Sequence, residues 1–206
     1  DVRWLDEVYN SAALLQNYEL SISGADDKTS YYVSGGYYNQ EGTALGSGFS
    51  RFSFRANLDR KAAKWLKIGT NTMLNYQQIQ QADEGSYTLV TPISAARFML
   101  PYYSPYKADG SLASINDGSW KGIGQNPIEW QQNNPVTFKK YKLLSTFFAE
   151  ATPIEGLSLR SQLAVDYSHT TGFGMSYPSY LPNQGQGSAS RSSTDGGSLT
   201  ITNTAN

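Results

Sequence analysis

The stretch RFSFRANLDR, residues 51–60, alternates apolar and polar side chains. Phe52 and Phe54 fall on one side of this alternation, and Arg51 and Arg55 fall on the other. Successive side chains leave a pleated strand on opposite faces, so this period of two predicts a β-strand. Two alternatives stay open at this point. The apolar side covers the core of a soluble β-sandwich, or it contacts lipid while the polar side lines the lumen of an outer-membrane barrel.

The same alternation recurs along most of the chain and predicts about seven strands. Short and long connections alternate between these strands. The short ones lie at residues 24–30, 60–64 and 153–156, and the longer ones at 41–50, 79–138 and 170–197. Outer-membrane barrels have the same asymmetry, with tight periplasmic turns and long extracellular loops. The predicted strands run for about 9 to 13 residues, which suits a tilted membrane crossing better than the usual 5 or 6.

The composition agrees with a barrel and excludes several other classes of protein. The 16 basic and 17 acidic residues give a formal charge of −1, so the chain has no electrostatic footprint for nucleic acid. Cysteine is absent, which excludes disulfide scaffolds and thiolate metal sites. The 15 Tyr and 19 Gly favour β-structure with interfacial aromatic rings and many turns. No apolar run approaches the roughly 18 residues of a membrane helix, but a barrel needs none because only alternate residues face lipid.

The barrel interpretation assigns side chains to two faces. The residues expected to face lipid are Phe52, Phe54, Leu58, Leu66, Ile68, Leu74, Leu159, Leu163 and Val165. The residues expected to face the lumen are Arg51, Arg55, Lys67, Asn71, Asn75, Arg160, Gln162 and Asp166. Trp65 and Tyr31 fall beside short turns, whereas Tyr37, Tyr76 and Tyr141 fall near the long connections. Two such bands are typical of the aromatic girdles at membrane interfaces.

Several short motifs follow one another in a fixed order in the first third of the chain. They are Trp4, Asp6 and Glu7, then 16–24, Lys28 with Thr29, 32–37, 39–42 and 51–59. The later segments WLKIGTN (65–71) and PIEGLSLRSQLAVDY (153–167) continue the series. The whole series resembles the SusC/RagA-like TonB-dependent outer-membrane transporters. Because the motifs are linked over nearly the entire chain, the resemblance is more specific than any one of them.

The resemblance implies an all-β fold, a partial transmembrane antiparallel β-barrel that supplies about seven of about twenty-two strands. Residues 1–17 would be a lead-in from an extracellular loop, and 79–138 and 170–197 would be long extracellular loops. The plug and N-terminal domains would lie outside these residues. Members of this family import oligosaccharides or peptides across the cell outer membrane. The implied partners are TonB acting through the plug, a SusD-like surface lipoprotein that forms a lid, outer-membrane lipid, and a glycan or peptide substrate, with no cofactor.

No residue pattern predicts catalysis or metal binding. His169 is the single histidine, and Asp166 and Ser168 would leave a strand on the face opposite to it. Asp26 and Asp27 lie in a turn without the spacing of a calcium-binding loop. We therefore expect neither an enzyme nor a metal site.

The segment 79–138 is rich in aromatic and polar side chains, and a short helix is expected within it near residues 93–100. The candidate substrate-binding residues are Tyr102, Tyr103, Tyr106, Asn116, Trp120 and Trp130. Flat rings beside amide groups suit sugars, whose C–H faces pack on aromatic rings while their hydroxyls form hydrogen bonds. The alternative is that these rings pack the loop against itself or against a lid. In the soluble-sandwich alternative, the same loop would serve a carbohydrate-binding module.

Overall fold

The computed structural model describes residues 1–82 and 89–206, which contain one antiparallel sheet of seven strands. The strands are β1 (Leu15–Ala25), β2 (Thr29–Glu41), β3 (Gly48–Ala63), β4 (Leu66–Gln81), β5 (Val136–Ile154), β6 (Leu157–Ser176) and β7 (Ser188–Ala205). Each strand pairs with the next one along the chain, as in a meander. Within the described residues no second sheet covers either face, so these residues do not form the two packed sheets of a sandwich.

β1 and β2, with 11 and 13 residues, match the predicted strand lengths, whereas β3 to β7 are longer and reach 20 residues in β6. The predicted loop at 170–197 is wrong in its bounds, because β6 continues to Ser176 and β7 begins at Ser188. The segment 79–138 likewise shortens to the connection between Gln81 and Val136, and the lead-in 1–17 ends where β1 begins at Leu15. The backbone ladder does not require apolar side chains. Where both faces of a strand are polar, pairing continues but the period-two pattern disappears.

The connections at one end of the sheet are tight. Between β1 and β2, the Asp26 carboxylate accepts the backbone N–H groups of Lys28 at 2.7 Å and Thr29 at 2.6 Å. An aspartate in this arrangement closes a turn with its own side chain. Between β5 and β6, Gly156 has φ +81°, a left-handed conformation that glycine adopts without steric cost. These local features hold the short connections that the sequence predicts.

Three short α-helices of the described residues lie at the opposite end of the sheet: α1 (Trp4–Val8), α2 (Pro92–Phe98) and α3 (Pro127–Asn133). α2 confirms the helix expected near residues 93–100. Its N-terminus is capped by Thr91, whose hydroxyl accepts the N–H of Ser94 at 3.3 Å, and Pro92 occupies the first turn. No helix in the described part of the chain is long and apolar enough to cross a membrane.

Candidate functional site

The register of the ladders assigns every strand residue to one of two faces. Phe54 lies opposite Leu74, and Leu74 lies opposite Leu143 on the next strand. All nine residues expected to face lipid share this side of the sheet, which we call the apolar face. Phe54, one step from the edge of this face that the long connections form, is 43% exposed and is covered by no other layer of the described chain. Contact of each of these side chains with lipid stays a prediction.

An aromatic row crosses the apolar face near the long connections. It consists of Tyr37, Phe52, Tyr76, Tyr141 and His169 on five successive strands. Neighbouring ring centroids are 4.7, 6.4, 4.8 and 6.4 Å apart along this row. The placement agrees with an interfacial girdle, where amphipathic rings sit at the level of lipid headgroups.

The apolar face changes character at the aromatic row. On the far side of the row the same face carries Ser50, Gln78, Lys139 and Thr171. On the near side, the β5 residues on this face are apolar or small from Tyr141 to Ala151. Ten residues at about 3.4 Å each, tilted by about 40°, span about 26 Å along the membrane normal. That height equals the apolar band of an outer-membrane barrel, about 25 Å.

The opposite side, the polar face, holds all eight residues expected to face the lumen. Three ion pairs cross between its strands: Lys67–Asp59 at 3.1 Å, Arg160–Glu150 at 3.1 Å and Lys142–Asp166 at 3.5 Å. All six side chains are partly exposed, so the pairs are hydrated and contribute little stability. Their effect is to distribute both signs of charge over the polar face.

Phe148 is an apolar exception on the polar face, and sequence reasoning missed it. Phe148 is only 7% exposed, and its ring occupies the space beside Gly69 on the neighbouring strand, where an added Cβ would approach the ring to 2.5 Å. Lys67 Nζ lies 5.6 Å and the Arg160 guanidinium carbon 4.1 Å from the ring centroid. Both distances fall within cation–π range. A glycine opposite an aromatic residue on the neighbouring strand is the sequence signal that could have found this cluster.

The end of the sheet opposite the tight turns is formed by a loop assembly, which comprises residues 1–14, 89–135 and 177–187. Its apolar core consists of Trp4, Val8, Ala95, Met99, Ala113 and Trp120. The Trp4 and Trp120 rings meet edge to face, with centroids 6.0 Å apart, and Trp4 Nε1 donates to the carbonyl of Leu100 at 3.2 Å. The lead-in and the long connection between β4 and β5 are therefore packed as one unit.

Buried polar groups stabilise the loop assembly further through hydrogen bonds. Asn126 is fully buried and donates from Nδ2 to the carbonyls of Pro105 at 3.0 Å and Ala113 at 2.8 Å. The buried Glu129 carboxylate accepts the hydroxyl of Ser114 and the N–H of Ile115. Hydrogen bonds to buried groups of this kind are expensive to lose.

Tyr180 joins the third segment to this network. Its side chain is fully buried, and its ring packs edge-on against Trp130 with centroids 6.2 Å apart. Burial, together with the negative charge of the nearby Glu129 carboxylate, raises the pKa of Tyr180 well above the usual value of 10.0. The phenol is therefore held in its protonated form.

The six candidate substrate-binding residues have different environments. Trp120 is 7% exposed within the loop core, and Tyr103 packs between Tyr102 and Trp120. Asn116 joins two segments, donating to the carbonyl of Ser179 at 2.8 Å and accepting the N–H of Leu181 at 2.6 Å.

Tyr102 and Tyr106 differ from the rest of the candidate set because their rings are open to solvent. They are 66% and 41% exposed. Partial burial raises the pKa of the Tyr106 phenol. The negative charge of the neighbouring Glu7 carboxylate, which accepts a hydrogen bond from the phenol, raises this pKa further. Substrate contact stays a prediction for the whole set, and the accessible rings are those of Tyr102 and Tyr106.

A polar cavity that sequence reasoning missed lies between α1 and the ends of β2, β3 and β4. Its volume is about 590 Å³, and its lining includes Glu7, Asn10, Glu41, Gln78 and Gln80. These residues come from distant segments, so no local motif marks the cavity. Among the residues that the structure describes, no group of three or more acidic or histidine side chains is placed to hold a metal ion.

Comparison with known proteins finds TonB-dependent receptors among the relatives of this chain. No family model matches the sequence. TonB-dependent receptor P26 of Formosa agariphila is 32% identical over 171 residues, covering 81% of this chain and 16% of that protein. TonB-dependent receptor P3 of the same organism is 27% identical over 173 residues, covering 81% of this chain and 17% of that protein. The chain therefore spans about a sixth of the length of these curated relatives.

Solved structures of the RagAB peptide importer are similar over the entire chain. The closed-closed state gives a TM-score of 0.82 at 28% identity, and the open-open state gives 0.82 at 29% identity. Each match covers 100% of this chain and 23% of the matched chain. The fold and its two faces thus define a segment of a transmembrane β-barrel wall with long extracellular loops.

The chain belongs to the TonB-dependent receptors of the cell outer membrane, which confirms the resemblance to the SusC/RagA-like transporters. The matched proteins are receptors and importers, in agreement with the expectation that the chain is not an enzyme.

Proposed function

We propose that the receptor containing this chain imports oligosaccharides or peptides across the outer membrane in a TonB-dependent manner. This chain contributes part of the barrel wall and its extracellular loops, in a barrel of about twenty-two strands. The observation that carries the proposal is the sorting of side chains onto two faces of one sheet, with an apolar belt on one side and a charged, hydrated surface on the other. The similarity to RagAB over the entire chain supports the same function.

The polar face would line the path that the substrate follows. Its ion pairs Lys67–Asp59, Arg160–Glu150 and Lys142–Asp166 place charges of both signs along the wall. A wall of mixed sign has no strong field that would select one charge, which suits neutral or zwitterionic polar solutes. Oligosaccharides and peptides both belong to this class.

The loop assembly would form the extracellular surface for substrate and lid. We assign first contact with the substrate to Tyr102 and Tyr106, because their rings are exposed while Trp120 is buried. A SusD-like lipoprotein would close over this surface, and TonB would act through a plug domain that lies outside these residues. The name RagAB denotes two proteins, RagA and RagB, which supports the expectation of a second component here.

Uptake by the full-length receptor tests the proposal. A strain lacking the receptor should lose uptake of a fluorescent oligosaccharide or peptide pool, and a protonophore should abolish the uptake that the receptor restores. Aromatic contacts contribute about 1 kcal/mol each. The double variant Tyr102→Ala, Tyr106→Ala should therefore require roughly thirty-fold more substrate for half-maximal uptake.

Phe98→Ala is the matched control, because Phe98 is 65% exposed in the same loop assembly but lies outside the candidate set. Its uptake should equal that of the wild type. Unchanged uptake of every pool in the deletion strain would refute the proposed function. A SusD-like lipoprotein should also copurify with the tagged receptor.

A further inference from the structure

A basic groove lies on the apolar face beyond the aromatic row, on the side of the sheet away from the polar face that would line the substrate path. Its volume is about 530 Å³, and it crosses from β4 to β7. The residues whose side chains share the outward direction of Tyr76 and Tyr141 are Gln78, Thr137, Lys139, Thr171, Phe173 and Arg191. These positions follow from the register, which places Gln78 opposite Lys139, Lys139 opposite Thr171, and Phe173 opposite Arg191.

The charge of the groove comes from Lys139 on β5 and Arg191 on β7. The two side chains are exposed and lie two strands apart, with β6 between them. Among the described residues, no carboxylate forms a salt bridge with either of them. Asp195, on the same face of β7, already accepts hydrogen bonds from the Tyr167 hydroxyl and from His169 Nδ1, both at 2.7 Å. The groove therefore presents two cations to its surroundings.

An apolar groove adjoins the basic one on the membrane side of the aromatic row. Its volume is about 460 Å³. The apolar residues that line it are Phe52, Phe54, Leu74, Tyr76, Tyr141, Leu143 and Tyr167. On the outward face, Tyr76 is the nearest neighbour of Gln78 on β4, and Tyr141 is the nearest neighbour of Lys139 on β5. The two grooves are therefore adjacent, with no residue of this face between them. One face thus offers a charged site at headgroup level and a hydrocarbon site directly beneath it.

We propose that these two grooves bind a phosphate-bearing lipid of the surrounding outer leaflet. Arg191 and Lys139 donate hydrogen bonds to the phosphate, and an acyl chain lies along Phe54, Leu74 and Leu143. Guanidinium and ammonium groups pair well with phosphate, and charged residues beside a membrane attract anionic headgroups. A free anion would need only the basic groove, whereas a lipid explains why a hydrocarbon groove continues it toward the belt.

Lipid binding to the full-length receptor in detergent tests this site. The probe is a bis-phosphorylated, multiply acylated glycolipid, counted as bound copies by native mass spectrometry over a concentration series. Each basic residue near a charged membrane surface strengthens binding about five-fold, so the double variant Lys139→Gln, Arg191→Gln should bind the probe roughly 25-fold more weakly. The dephosphorylated probe should bind the wild type as weakly as the intact probe binds the double variant.

Lys140→Gln is the matched control, because Lys140 is the next residue along β5 and its side chain leaves on the polar face. This variant should bind the probe like the wild type. Heat-modifiable gel mobility confirms that each variant is folded. Equal binding by the wild type and the double variant would overturn the proposal, and so would an equal loss in Lys140→Gln. Full competition by inorganic phosphate at matched concentration would also overturn it, because the site would then recognise a free anion rather than a lipid.

Discussion

Replacing Phe147 by arginine should destabilise the barrel because it places a charge near the middle of the apolar belt. The belt runs on β5 from Tyr141 to Ala151, so its centre falls at residue 146. Phe147 lies one residue from that centre, on the apolar face, where its ring is 49% exposed and opposite Thr70 and Leu163. An arginine near the bilayer midplane costs about 2–4 kcal/mol in an outer-membrane barrel.

Thr146→Arg is the control that isolates the effect of the face. Thr146 occupies the same depth on the same strand, but it lies on the polar face opposite Asn71 and Ala164. A charge there meets water and polar neighbours, so we expect a cost within about 0.5 kcal/mol. A second control, Phe147→Leu, removes the ring without adding charge and separates lost packing from the cost of the charge.

Depth gives a further internal check. Phe54 lies one step inside the aromatic row, about 8 Å from the midplane by the same strand geometry. Because the cost of arginine falls to about 0–1 kcal/mol near the interfaces, Phe54→Arg should cost about 1–2 kcal/mol. The assay is the folded fraction of the full-length receptor in phospholipid vesicles across a urea series, read by heat-modifiable mobility. Equal losses for Phe147→Arg and Thr146→Arg, or a larger loss at Phe54, would refute the assignment of the faces.

Three other changes test the packing. Gly69→Ala should lower the free energy of unfolding in the same urea series by about 1–3 kcal/mol, because the added Cβ would meet the Phe148 ring at 2.5 Å. Gly35→Ala should have little effect, because nothing would lie within 4 Å of the added Cβ. Asn126→Ala should make the loop assembly sensitive to limited proteolysis, since two buried carbonyls lose their donor at a cost of about 1–3 kcal/mol. The pKa of Tyr180 is raised on folding. Its contribution to the stability of the folded loop assembly is therefore complete below pH 10.0 and is lost as the pH rises above that value. Protease sensitivity of the loop assembly should accordingly increase above pH 10.0 in the wild type and increase less in Tyr180→Phe.

The two faces of the sheet could be predicted from the sequence because alternation records two different surroundings. All nine residues expected on one face, including Phe52 and Leu163, and all eight on the other, including Arg55 and Gln162, lie as the alternation indicates. The strand ends could not be predicted in the same way. Residues 188–197 of β7 are polar or small on both faces, and nothing in their side chains distinguishes a paired strand from a loop.

The packing of the loop aromatic residues was also beyond sequence reasoning. Tyr102 and Trp120 belong to the same segment and have similar chemistry, yet one is exposed and the other is enclosed. The difference arises from Trp4, which packs on Trp120 from a helix more than a hundred positions away in the chain. No local period encodes such a contact. The same is true of Asn126 and its two distant carbonyl partners.

The loop assembly separates the residues that hold it together from those that it displays. Asn126, Glu129 and Trp120 are enclosed, while Tyr102 and Tyr106 project from the outside of the same unit. The exposed rings can therefore be replaced by other side chains in evolution without disturbing the buried contacts beneath them. Under the proposed function, recognition can diversify while the architecture is preserved, and one receptor plan can be adapted to other substrates by altering only a few outer positions.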